Sequence, residues 1–93
     1  MADEPRFPYG QVVATPGALS ALEDSGEHAH HFLMRHLEGD WGDIDARDKL
    51  SNENALRDGY RILSAYNLKS GQRIWIITEA DRSSTCILLP SEY

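Results

Sequence analysis

Tyr60-Arg61-Ile62-Leu63-Ser64-Ala65-Tyr66-Asn67-Leu68, Arg73-Ile74-Trp75-Ile76-Ile77-Thr78-Glu79 and Thr85-Cys86-Ile87-Leu88-Leu89 are three runs rich in Ile, Leu, Tyr, Trp and Thr. Residues of these types fit the pleated surface of a strand. The connectors are Lys69-Ser70-Gly71-Gln72 and Ala80-Asp81-Arg82-Ser83-Ser84, both of turn composition. Connectors this short force consecutive strands to pair antiparallel, which predicts a three-stranded meander. In the central run Ile74 and Ile76 alternate with Trp75 and Ile77, so both sheet faces read as apolar and both are expected to be covered, at least one of them by helices.

Working back towards the N-terminus, the pattern becomes helical. Asp45, with Asp48 three residues on, starts a helix that Gly59 ends, although Leu50, Ala55 and Leu56 do not share one face. A helix from about Glu27 to Leu37 places Ala29, Phe32, Leu33, His36 and Leu37 on one side, and Gly39 closes it. Thr15 is a good N-cap and Pro16 a good first residue for a helix through Ala18, Leu19, Ala21 and Leu22, which stops at Gly26. Before it, Gln11-Val12-Val13-Ala14 reads as a short strand, with no indication of where it joins the sheet. Residues 1–9, with Pro5 and Pro8, read as an extended, frayed tail. The expected fold is a single α+β domain over residues 10–93: a short N-terminal strand, two to three helices, then a three-stranded antiparallel meander packed against them.

A chain of 93 residues leaves no room for a second core. A domain this small buries only about 60 to 65% of its unfolded surface, so a homodimer that covers more is an open possibility. The lone Cys86 has no internal disulfide partner, no run approaches the roughly 18 apolar residues of a membrane span, and the N-terminus Met-Ala-Asp-Glu-Pro is acidic where a secretory signal is basic. A cytoplasmic protein is expected. Fifteen acidic residues against nine basic ones leave a net charge of −6, which opposes a role in coating nucleic acid.

Several segments together carry a resemblance. They are Arg35-His36 with Gly39-Asp40-Trp41-Gly42, Asn52-Glu53 with Ala55-Leu56, Arg61-Ile62-Leu63-Ser64-Ala65-Tyr66, Trp75 to Ser83, and Leu88-Leu89-Pro90. From about Phe7 to Tyr93 the chain resembles a family of small plasmid-related proteins of bacterial plasmids and integrated elements. The resemblance implies a mobile-element setting and no particular activity.

Four histidines invite a catalytic or metal reading. His28 and His31 are neighbours on one helix, but further ligands at metal spacing are missing and Arg35 would repel a cation, so no metal or other cofactor is expected. His36 falls in the middle of an apolar stripe. Its plain reading is a core imidazole bonded to a backbone carbonyl or an acidic side chain, and its sharper reading is a general acid or base at a cleft rim. With Glu79 as base and Arg82 to hold phosphate, His36 would complete a metal-independent ribonuclease site, and helices followed by a meander are similar at fold level to barnase-like and RelE-like toxins. Against this, Glu79-Ala80-Asp81-Arg82-Ser83 also reads as an ordinary turn. Trp41, between two glycines and flanked by Asp40 and Asp43, reads either as an exposed partner-binding anchor with an acidic rim or as a lid over the core. Walker, dinucleotide and nucleophile-elbow motifs are absent. The favoured expectation is a non-enzymatic acidic module that contacts a basic protein partner through Asp40, Trp41 and Asp43. The ribonuclease built on His36, Glu79 and Arg82 is the alternative.

Overall fold

The structure is a computed structural model that describes residues 4–93. Its elements run β1 (Gln11–Ala14), α1 (Pro16–Ser25), α2 (Ala29–Leu37), α3 (Ala46–Asp58), β2 (Ile62–Asn67), β3 (Arg73–Thr78) and β4 (Ser84–Leu88), with a 3-10 turn at Pro90–Glu92. This is the expected α+β fold.

Local chemistry sets the helix ends. The Thr15 hydroxyl accepts from the Ala18 N–H at 3.0 Å and donates to Glu92 at 2.6 Å, so the cap of α1 also pins the C-terminal turn. Asp45 caps α3 through the Asp48 N–H. Gly26 and Gly59 end α1 and α3 in the left-handed region. The second helix starts later than expected: His28 is its N-cap residue and makes no side-chain bond there.

The sheet order is β1-β4-β3-β2. Strands β2, β3 and β4 form the antiparallel meander, and β1 joins it parallel to β4, making the sheet mixed. Helices α1 and α2 cover one sheet face, where Ala18, Leu22 and Phe32 pack against Tyr66, Ile74, Ile76 and Ile87. A second cluster of Phe7, Leu37, Trp41, Ala55 and Ile62 joins α2, α3 and the N-terminal segment. The opposite face carries Leu63, Trp75, Ile77 and Cys86, and no helix lies on it. The expectation of helices on at least one face holds, and the other face is covered only in part: Ala65, Ile77 and Leu88 are buried there, while Leu63, Trp75 and Cys86 stay half-buried beside Arg61 and Tyr93.

The N-terminal tail is also corrected from Arg6 onward. The Arg6 N–H bonds to the Leu37 carbonyl at 2.8 Å, its guanidinium pairs with Glu53, and Phe7 is buried. Residues 1–3 of the expected tail lie outside the described residues. Among the described residues no helix is long and apolar enough to cross a membrane.

Candidate functional site

The histidine singled out by the helical pattern lies at the centre of the fold. His36 has no exposed surface, and both ring nitrogens are engaged: Nδ1 lies 2.6 Å from Ser64 Oγ and Nε2 lies 2.9 Å from Thr78 Oγ1. Thr78 contacts Thr85 Oγ1 at 2.7 Å, and Thr85 donates to the Tyr9 carbonyl at 2.8 Å.

The chain's end fixes every proton in it. A carbonyl only accepts, so Thr85 gives it its one O–H and must accept from Thr78, which in turn accepts from His36 Nε2–H. Nδ1 is left with a lone pair, which takes the Ser64 O–H. One neutral tautomer satisfies the whole network. Phe7 and Trp41 pack against the ring in T-shaped contacts with centroids 5.3 and 5.9 Å away, and burial pushes the imidazole down to about 3. The plain reading of His36 holds in outline, with strand hydroxyls as partners in place of the expected carbonyl or carboxylate.

The other two members of the ribonuclease trio are not poised for catalysis beside it. Arg82 adopts a left-handed backbone at φ 62° and donates to the carbonyls of Ala55, Tyr60, Glu79 and Ala80, which ties the β3–β4 hairpin to the end of α3. Glu79 is exposed at the start of that hairpin. With His36 sealed and Arg82 bound to backbone, the three side chains do not line one cleft open to a substrate.

The Asp40-Trp41-Asp43 expectation divides. Trp41 is 4% exposed and donates its indole N–H to Glu53, so it is a lid over the core, and the exposed-anchor alternative is corrected. Its neighbours stay at the surface. Asp40 pairs with Arg35 at 2.7 Å, and Asp43 pairs with Arg73 at 3.0 Å and also accepts from Asn67. These partners hold both carboxyls below the usual carboxylate range, through the Arg35 hydrogen bond for Asp40 and the Asn67 hydrogen bond, then Arg73, for Asp43.

Clefts open beside Arg35 and Asp40 and around the α1–α2 junction, and two more lie on the helix-free sheet face. A cleft of about 400 Å³ is bordered by Asp43, Asp45, Asp48 and Arg73 over a floor of Leu63, Ala65 and Trp75. A second, of about 240 Å³, continues from Leu63 and Trp75 to Ile77, Arg61 and Tyr93. Because the two share Leu63 and Trp75, they form one groove, carboxylate-rimmed at one end and aromatic at the other. Trp75 meets Tyr93 edge to face at 5.5 Å, and Arg61 donates to the Tyr93 hydroxyl at 2.6 Å while lying over its ring. Asp48 forms no ion pair among the described residues, and Asp45 gives one oxygen to the helix cap.

Of this groove the sequence reading singled out only Asp43 as a site residue. Trp75 and Ile77 were visible as a second apolar face, but Tyr93 folds back over that face through the Pro90–Glu92 turn, a long-range contact with no local signal. Comparison of the chain with family models, with curated proteins and with solved structures finds no match.

Proposed function

We propose that this chain is a non-enzymatic binding module of a mobile element, acting in the cytoplasm, and that the groove on the helix-free sheet face receives a basic, extended segment of a protein partner. The observation that carries this reading is the union of an apolar floor with a carboxylate rim. A lysine or arginine is an aliphatic stem with a cationic head, so its stem suits Leu63 and Trp75 while its head meets Asp45 and Asp48. An aromatic or aliphatic neighbour then fits between Trp75, Ile77 and Tyr93. The net charge of −6 favours the same class of partner at long range.

The reading moves the contact surface away from Trp41. It keeps Asp43, whose loop walls the groove, and leaves Asp40 on the neighbouring cleft with Arg35 and Tyr66.

Selection of random peptides on the immobilised chain tests it. Wild type should enrich sequences that combine lysine or arginine with an aromatic or large aliphatic residue. Trp75→Ala, or Asp45→Lys with Asp48→Lys, should weaken the selected peptides by about tenfold or more. Enrichment of neutral or acidic peptides, or equal binding by the variants, would overturn it.

A further inference from the structure

The groove leaves one part of the sheet unused. Gln11 N–H and Thr15 N–H both bond to the β4 side, at Ser83 and Ile87, each at 3.0 Å. Alternation along the strand then turns the N–H and C=O groups of Val12 and Ala14 outward, and among the described residues nothing bonds to them. An unsealed strand edge is a template for another strand.

Its surroundings decide which strand. Residues 7–22 contain no Asp, Glu, Lys, Arg or His, in a chain that is 26% charged. Tyr9, Val12, Val13 and Leu19, four of the exposed large apolar side chains, all fall inside this neutral span. A basic partner finds no carboxylate here to read, whereas two copies of an acidic protein need a neutral strip in order to approach. Apart from its shortness, the edge carries no guard against pairing: it has no charge, no proline and no bulge.

From this we infer that the chain forms a symmetric dimer in which β1 pairs antiparallel with β1 of a second copy, centred on Val13. In that register Val12 of each copy faces Ala14 of the other, and each such pair exchanges both of its outward N–H···O bonds. The two Val13 side chains then meet as a non-hydrogen-bonded pair, with Cα atoms about 4.5 Å apart. The two-fold axis is perpendicular to the sheet. One continuous sheet therefore runs through both copies, with helices on one side and both grooves on the other. The pairing does not depend on what the grooves bind.

Sedimentation equilibrium over a concentration series reaching the millimolar range tests the pairing. Wild type should approach twice the 10.5 kDa chain mass. Val13→Lys places two like charges face to face, and Val12→Pro removes only an outward N–H, so each should raise the dimer dissociation constant by about tenfold or more while the circular dichroism spectrum stays native. Leu50→Lys, on the exposed side of α3, should leave dimerisation unchanged. Register is read by oxidation in a Cys86→Ala background, where Val13→Cys should give a disulfide-linked dimer and Val12→Cys far less. A monomer throughout the series, a dimer that both β1 variants leave intact, or equal cross-linking at positions 12 and 13 would each overturn the inference.

Discussion

Along β2 the outward backbone groups of Leu63 and Ala65 all have partners, whereas along β1 those of Val12 and Ala14 have none among the described residues. On β2 the Asn52 side chain imitates a strand: its amide donates to the Leu63 carbonyl at 2.7 Å and its oxygen accepts from the Leu63 N–H at 3.1 Å. One step further on, the Trp41 carbonyl takes the Ala65 N–H and the Asp43 N–H bonds to the Ala65 carbonyl. The contrast separates a sealed boundary, built from buried and conformationally demanding residues, from an edge built from small neutral ones. Between them runs the His36 network, which touches β2 at Ser64, β3 at Thr78 and β4 at Thr85, and ends on Tyr9 just before β1.

Acid should break that cross-sheet tie with the largest effect. Above the unfolded histidine value of about 6.5, His36 is neutral in both states and its full contribution is present. Below it, the unfolded chain takes up a proton that the folded chain refuses until about 3, so stability falls as pH falls through this window. The slope approaches about 1.4 kcal/mol per pH unit, or roughly 5 kcal/mol in all. Asp40, Asp43, Glu53 and Glu92, all held low by hydrogen bonds, add to the loss only at the acid end. Urea titrations at pH 7, 5.5 and 4 would show it. Unchanged stability between pH 7 and 5 would mean that His36 is not held neutral in the folded state.

The sealed edge is next. Gly42 has φ 78°, and a Cβ there would lie 2.1 Å from the Ala65 carbonyl oxygen, so Gly42→Ala should cost about 3 kcal/mol or more. Gly59 has nearly the same φ of 80° with open space around it, and Gly59→Ala should cost only about 1 kcal/mol. Equal losses by denaturant titration would show that the loop does not press against β2. Asn52→Leu should cost about 2 kcal/mol, because it strands the Leu63 N–H and C=O beneath α3. A loss below about 0.5 kcal/mol would mean that the amide seals nothing.

How much of this was legible follows from sequence distance. The Thr15-Pro16 start of α1, the Asp45 cap, the Gly59 stop and the three meander strands rest on contacts between near neighbours, and the chain states them locally. The placement of β1 beside β4 pairs Val12 with Thr85 across most of the chain, and nothing local encodes it. The apolar stripe of α2 marked His36 as interior, but its hydroxyl partners lie 28 and 42 residues away and read as ordinary strand residues. Trp41 between glycines fits a lid as well as an anchor, and only the packing of Phe7 and the bond to Glu53 separates them. The groove had the weakest signal, since Trp75 alternates as any core residue does and becomes a surface feature only because no helix covers that face.

The bare edge should give the smallest effect, and its smallness is informative. Val13 is 42% exposed on a strand whose inward hydrogen bonds come from the backbone, so Val13→Lys should change the stability of the monomer by no more than about 0.5 kcal/mol. Measured at a concentration low enough to keep the chain monomeric, this separates folding from association, which a concentrated sample would mix. If Val13→Lys destabilises the dilute monomer by as much as Asn52→Leu does, β1 is integral to the fold and the contrast between the two edges fails. If the loss appears only as concentration rises, the edge contributes little to the single domain and its free hydrogen-bonding groups act between copies.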